Sequence, residues 1–308
     1  MSFFAMVMGL AGLAIAWEKA ASMLDVQLSL VPWLIGLSVL VFVLLFGVYA
    51  AKLAFHPGAV LAELRHPVRL SFMPTISISL LLLSIALLHT APPVVSLTLW
   101  ATGATVQLGF TLYIVSVWMH HQHFQIHHMN PSWFIPAVGN VLVPIAGVPL
   151  GFVEISWFFF SIGVLLWSVL MTIVFYRVLF HQSIDARLMP TLFILIAPPA
   201  VAFIAYLQLN GGLDVFAQAL YFVGVFLTVL LFSQAQRFFR LDFFLSWWAY
   251  SFPLAAVSIA SMRMFDQTGA AFYAYLGFAL LTLLTGIVAM LSVSTANAVR
   301  ERGICIPE

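Results

Sequence analysis

The chain has 308 residues, 64% apolar and 7% charged, with a net charge of +1 and a mean hydropathy of +1.12. Soluble domains carry about 25% charged residues, so too few charges are present to cover a water-exposed surface, and the expected solvent is lipid. The near-zero net charge gives no footing for nucleic acid, and the single cysteine, Cys305, excludes an internal disulfide or a cysteine-built metal site.

A bilayer-spanning helix needs about 20 mostly apolar residues. Ten segments qualify in chain order: 3–17, 31–55, 70–89, 93–118, 133–152, 156–180, 189–209, 215–232, 244–262 and 269–293. The first is short, but no basic stretch precedes it and the apolar pattern continues, so it reads as a span and not as a signal peptide. Glycines scattered through the spans (Gly9, Gly12, Gly36, Gly47, Gly103, Gly109, Gly277, Gly286) are expected to let helices approach closely. With the N-terminus inside, the inner loops and tail hold Lys52, Arg65, Arg69, Arg177, Arg187, Arg237, Arg240, Arg300 and Arg302, nine of the eleven basic residues. Only Lys19 and Arg263 fall outside. That bias places both termini in the cytoplasm. Residues 1–308 are expected to form one multi-pass domain, in the cell's inner (plasma) membrane.

The odd-numbered segments share a feature. Pro74, Pro136, Pro198-Pro199 and Pro253 each stand a few residues into the third, fifth, seventh and ninth spans, 62, 62 and 55 residues apart. This is the repeat of a two-span helical hairpin. The first span has Val7 in the matching place. Proline inside a helix removes a hydrogen bond and bends the axis, whereas Pro32 and Pro93 stand near the starts of their spans, where proline costs little. Five bent helices alternating with five straight ones predict an all-α membrane protein of five helical hairpins in quasi-fivefold arrangement. The bent set would form an inner ring around an axial pore. In Trp247-Trp248-Ala249-Tyr250-Ser251-Phe252-Pro253-Leu254, the bulky Phe252 stands beside such a bend, where it can be aimed across the pore and block it.

All ten acidic residues fall in loops or at span ends, and no Asp, Glu, Lys or Arg stands mid-span. Proton-coupled carriers and cation pores usually need such groups. An uncharged pore can still favour anions through hydroxyls and helix ends. Ser71, Thr75, Ser77, Ser251 and Ser258 are available for this, although such hydroxyls commonly bond back to their own helix. Phe4 is a further pore-facing candidate. Arg65 and Arg69, four residues apart before the third span, could gather anions at the inner mouth, or simply set topology.

His120, His121, His123, His127 and His128 crowd one loop, and His123, His127 and His128 fit the H-x3-H-H box of membrane di-iron oxygenases. Such sites need several boxes, and His56, His66, His89 and His181 form no second one. The three are therefore weak metal candidates. Adventitious metal binding, acid sensing through imidazole protonation and a plain interfacial loop are the other readings.

The chain resembles the TehA branch of the tellurite-resistance/dicarboxylate transporter family, whose plant members are the slow-type anion channels of guard cells. The resemblance rests on Phe4, Gly9-Leu10-Ala11 and Trp17 in the first span, and on His66-Pro67-Val68-Arg69-Leu70-Ser71-Phe72 before the third. It continues through Pro131-Ser132-Trp133-Phe134-Ile135-Pro136-Ala137-Val138, through Ala197-Pro198-Pro199-Ala200 with Ala205-Tyr206-Leu207, and through Trp248-Ala249-Tyr250-Ser251-Phe252-Pro253. It implies a homotrimer with one pore per protomer, passive conduction of small inorganic anions, no cofactor, and a ninth-span phenylalanine, here Phe252, that occludes the pore. Val7 and the histidine-rich loop depart from the family pattern. The long tails through which plant relatives are regulated are absent from this chain, so kinase control of that type is not expected.

The function expected is thus a gated channel for chloride and nitrate, and not an enzyme. A carrier for dicarboxylate, sulphite or tellurite is the alternative, and a histidine-rich membrane metalloenzyme is a third reading.

Overall fold

The computed structural model describes residues 2–120, 125–238 and 240–301. His121, His123, Arg302, Cys305 and Glu308 lie outside the described residues. Among those described, the chain is helical without a strand. The helices are α1 (Ala5–Leu24), α2 (Leu30–Phe55), α3 (Pro57–Arg65), α4 (Thr75–Ala86), α5 (Pro93–His120) and α6 (Phe134–Gly147). They continue with α7 (Val153–Phe180), α8 (Ala197–Asn210), α9 (Val215–Phe232), α10 (Ala235–Phe238), α11 (Ser251–Thr268) and α12 (Ala271–Arg300). Among the described residues, eight stretches are long and apolar enough to cross a membrane: α1, α2, Arg69–Ala86, α5, α7, Met189–Asn210, α9 and α12. Pro131–Gly147 is apolar but shorter. The eight do not include α11, which carries Arg263 and Asp266 in its second half.

Burial alternates along the chain. The most apolar windows of α1, Arg69–Ala86 and Met189–Asn210 are 61%, 83% and 72% buried, against 17%, 28%, 28%, 39% and 33% for α2, α5, α7, α9 and α12. Nearly every residue of α6 is buried, and most of α11. The buried helices pack in a cycle: α1 on α4, α4 on α6, α6 on α8, α8 on α11, and α11 back on α1. Each also pairs with the exposed helix that follows it, α2, α5, α7, α9 or α12. A helix apolar on all sides can turn one face to protein and the other to lipid.

Each buried segment opens as a 3₁₀ helix: Ser2–Phe4, Arg69–Phe72, Pro131–Trp133, Met189–Ile196 and Leu245–Tyr250. The repeated prolines stand at or just past the passage into α-helix. Pro74 precedes α4, Pro136 and Pro253 are the third residues of α6 and α11, and Pro198-Pro199 the second and third of α8. Proline's fixed φ suits the first turn of a helix, so it costs little there. These prolines therefore mark a change of helix type and not a mid-helix kink. The first segment makes the same change without one, Val7 being buried in α1. Pro144, in the interior of α6, is the proline that meets the description of a kink site.

The glycines divide. A Cβ on Gly9 would lie 2.3 Å from Ser251 Oγ, and one on Gly277 2.8 Å from Met262 Cγ, so these sites require glycine for close helix packing. A Cβ added at Gly36, Gly47, Gly109 or Gly286 would meet nothing within 4 Å, so close helix packing does not require glycine there.

Candidate functional site

The buried helices surround two cavities. The larger, of about 390 Å³, is lined by one isoleucine from each helix: Ile15 of α1, Ile85 of α4, Ile145 of α6, Ile204 of α8 and Ile259 of α11. The smaller, of about 40 Å³, is lined by Met8, Ile78, Val138, Ala197 and Trp248 from the same five segments. Earlier residues of every segment line the small cavity and later residues the large one, so the five helices run parallel. The first side is the near end here, the second the far end. Phe252 lines both cavities, and no other described residue does.

Local chemistry pins Phe252 from both sides. Ser251 Oγ donates to the Trp248 carbonyl at 2.7 Å, satisfying an acceptor where the 3₁₀ turn ends. Trp248 Nε1 donates to Thr295 Oγ1 of α12 at 2.9 Å. The Tyr250 ring stands edge-on to Phe193 at 4.7 Å, a favoured aromatic geometry. On α1, a Cβ at Gly12 would meet Ala255 Cβ at 3.0 Å and the Phe252 ring at 3.6 Å, so α1 and α11 touch beside the ring. Phe252 is 7% exposed, and the two cavities it lines are the free space that meets it.

Of the five pore-facing candidates, Thr75 alone lines a cavity, the smaller, and its hydroxyl donates to the Phe72 carbonyl at 2.6 Å. Phe4 packs edge-on against Phe42 of α2 at 6.0 Å. Ser77 Oγ donates to Gln107 Oε1 of α5 at 2.7 Å, and Ser251 is turned toward α1. Ser71 is buried and its hydroxyl has no partner among the described residues. Ser258 Oγ donates to the Gly277 carbonyl at 2.9 Å. The walls beside Phe252 are therefore apolar, with the hydroxyls spent on backbone and outer helices.

Sequence reasoning missed the polar cluster this exposes. Gln107 Nε2 and Asn140 Nδ2 both donate to the Pro136 carbonyl at 2.8 Å, and Asn140 Nδ2 reaches Thr111 Oγ1 at 2.8 Å. Gln107, Thr111, Asn140 and Ser77 are buried, and together they tie α4, α5 and α6 where α6 begins. The available signal was a carboxamide in mid-span on each of two neighbouring segments.

Charge gathers at the far end. α1 runs on to Leu24, well past the expected end at Trp17, because nothing breaks the helix before Asp25, whose φ of 51° terminates it. Glu18 and Lys19 thus lie inside a helix and line the larger cavity, together with His89, Gln208 and Arg263. Lys19 Nζ lies 2.5 Å from Asp266 Oδ2, and Arg263 Nη1 lies 3.9 Å from the same atom. Exposed Ser22, His89 and Pro149 mark the rim.

At the near end the expected inner-mouth arginines, Arg65 and Arg69, are exposed and line neither cavity. In the same loop, Lys52 pairs with Glu63 at 2.7 Å, and Tyr49 donates to Glu63 at 3.3 Å, so these groups hold α3 against α2. Of the histidine box, His123 and the side chain of His127 lie outside the described residues. His128 Nδ1 accepts the Gln125 N–H at 3.2 Å, capping the 3₁₀ turn Ile126–His128. Among the described residues no three His, Cys, Asp or Glu side chains are grouped to hold a metal.

Residues 1–296 match the profile of the SLAC1 family, described as voltage-dependent anion channels. The chain belongs to this family. Among its SLAC1-family relatives, the S-type anion channel SLAH2 of Arabidopsis thaliana is 30% identical over 277 residues, 87% of this chain and 53% of that protein. The tellurite resistance protein TehA homolog of Haemophilus influenzae is 25% identical over 297 residues, 94% of this chain and 89% of its own. An uncharacterized transporter of Methanocaldococcus jannaschii is 24% identical over 321 residues, 97% and 94% of the two chains. The chain spans about half the length of the plant channels it matches first. Family membership and the eight apolar helices make it a multi-pass membrane protein of an anion channel and transporter family.

Proposed function

We propose that this protein is a gated anion channel whose pore runs along the five buried helices and is closed by Phe252. The observation that carries the reading is the position of that ring: it is the one described residue common to two cavities that every buried helix lines. The closed cycle of packing from α1 through α4, α6, α8 and α11 supports a quasi-fivefold inner ring, and the alternating burial supports ten passes in five hairpins. The positive-inside bias supports cytoplasmic termini and one membrane domain over residues 1–308. The names of the plant relatives support anions as the cargo. A homotrimer with one pore per protomer, in the plasma membrane, follows from the family resemblance, and its stoichiometry is read by native mass spectrometry.

Apolar walls offer a passing ion no partner, and moving a charge from water without one is costly. Dehydration then ranks the anions. Nitrate and iodide are expected to pass better than chloride, and sulphate poorly. The test is current in oocytes or planar bilayers from wild type and Phe252→Ala in chloride and nitrate. A silent wild type beside a conducting, anion-selective mutant supports the plug. Equal currents from both, at equal surface abundance, reject it.

The second reading is a carrier for dicarboxylate, sulphite or tellurite, favoured by the TehA homolog and by relatives named as transporters. It requires saturable uptake without current from Phe252→Ala.

A further inference from the structure

We infer that Lys19 and Arg263 form an anion-binding site at the far mouth of the larger cavity, and that the Asp266 carboxylate occupies it as a tethered competitor. The inference rests on the reading of the chain as an anion pathway. Both cations line the cavity, one from α1 and one from α11, and these helices are direct neighbours. A single oxygen, Asp266 Oδ2, meets both: Lys19 Nζ at 2.5 Å and Arg263 Nη1 at 3.9 Å. Asp266 is not itself a lining residue; it stands near the end of α11 and reaches the two nitrogens from the rim. It places a carboxylate oxygen where a halide or nitrate arriving from the far side would meet the same N–H donors.

The surrounding charges make the competition matter. Glu18 on α1 and His89 beyond α4 are the other ionisable groups lining this cavity, while α6 and α8 bring Pro149 and Gln208 to its rim. Two acidic groups, Glu18 and Asp266, thus stand against the two cations Lys19 and Arg263. An arriving anion meets a carboxylate oxygen already on both donors and has to displace it. The Lys19 side chain is 14% exposed and that of Arg263 40%, so one donor is largely withdrawn from water and the other remains open to the vestibule. Removing the carboxylate charge makes the mouth more positive by one and leaves both donors facing the cavity.

The experiment measures Phe252→Ala currents against chloride concentration on the far side, at constant ionic strength held with a large impermeant organic salt. Adding Asp266→Asn is expected to lower the half-saturating chloride concentration roughly three- to tenfold, the size set by one charge a few ångströms away in a partly aqueous site. The shift shrinks when ionic strength is raised. Lys19→Gln with Asp266 intact raises the half-saturating concentration, and combining Lys19→Gln and Arg263→Gln with Asp266→Asn abolishes the gain. The dependence on chloride added to the near side is unchanged throughout. If Phe252→Ala conducts and Asp266→Asn reaches the surface normally, yet half-saturation does not move, the trio is only a clamp between α1 and α11 and the inference is overturned. If Phe252→Ala itself passes no anions, the channel reading fails first and takes the inference with it.

Discussion

The two ends of the central space are built from the same five helices and differ in almost every property. The near-end cavity, about 40 Å³, has apolar walls whose one lining hydroxyl, on Thr75, is bonded back to backbone. The far-end cavity, about 390 Å³, carries Glu18, Lys19, His89, Gln208 and Arg263 toward its mouth. The near end is narrow where large side chains meet: Phe72 and Trp248 from two of the 3₁₀ starts and Met8 of α1 line it with Phe252. The far end is wider, and a ring of isoleucines gives way to polar groups where water reaches in. In the proposed channel, an ion would meet polar groups at one end and lose its water at the other. The protein holds the dividing element on the α11 turn, where the backbone is fixed by Ser251, Trp248 and Pro253.

The largest effect is expected from joining the two cavities. Phe252→Ala removes the one described residue they share and should raise anion current by roughly tenfold or more, each ~1.4 kcal/mol of barrier removed being a factor of ten. Unchanged current would place the constriction elsewhere, with Met8, Phe72 and Trp248 the next residues to truncate.

A second break targets the seam that carries the ring. Gly9→Val puts atoms into the space held by Ser251 Oγ, 2.3 Å from the first added carbon. Overpacking of this kind costs about 1–3 kcal/mol, so the melting temperature in detergent should fall. Gly286→Val, at a position with nothing within 4 Å, should not lower it. Equal effects from both would mean that backbone propensity, and not packing, sets the penalty.

Ser77→Ala separates lumen from scaffold. Its hydroxyl serves Gln107, so the loss should appear as about 1 kcal/mol of stability. The nitrate-to-chloride permeability ratio, measured in the Phe252→Ala background, should not change. A changed ratio would return Ser77 to the pore wall.

Much of this contrast could be read from residues alone. The recurring prolines located the buried segments because lipid-facing and protein-facing helices repeat as hairpins, and Phe252 stood out by its place beside Pro253. The mouth was hidden for a physical reason. Counting apolar residues ended the first span at Trp17, whereas a helix ends only where its backbone is broken, at Asp25. Glu18 and Lys19 were therefore assigned to a loop. The 3₁₀ starts were also hidden, since the choice between 3₁₀ and α depends on packing around the chain and the same prolines suit either. Gln107 and Asn140 stay hidden because a carboxamide is neither a charge nor a hydroxyl, the two kinds of mid-span polar group that point to a pore. The serines were assigned to the pore by availability, although a buried hydroxyl goes to the nearest acceptor, here backbone or α5.

The smallest effect is expected from the near-end charges, and it sharpens the comparison from the opposite side. Burial raises the Glu63 carboxyl, but the opposing effects, led by the Lys52 ammonium and including the Tyr49 hydroxyl, outweigh it and leave the pKa below the ordinary value of 4.5. A lowered carboxylate pKa contributes stability that is complete above the unfolded value and is lost as pH falls through the folded one. Glu63→Gln should thus lower the melting temperature at pH 7, the difference from wild type closing as pH drops below about 4.5. The Lys52 partner is 35% exposed, so water screens the pair from that side and the effect should stay within roughly 0–1 kcal/mol. Because Glu63 holds α3 to α2 and faces neither cavity, half-saturation by chloride should be the same with or without its charge. A shift comparable to that expected from Asp266→Asn would show that the near end gathers anions electrostatically too, and the division of labour between the ends would not hold.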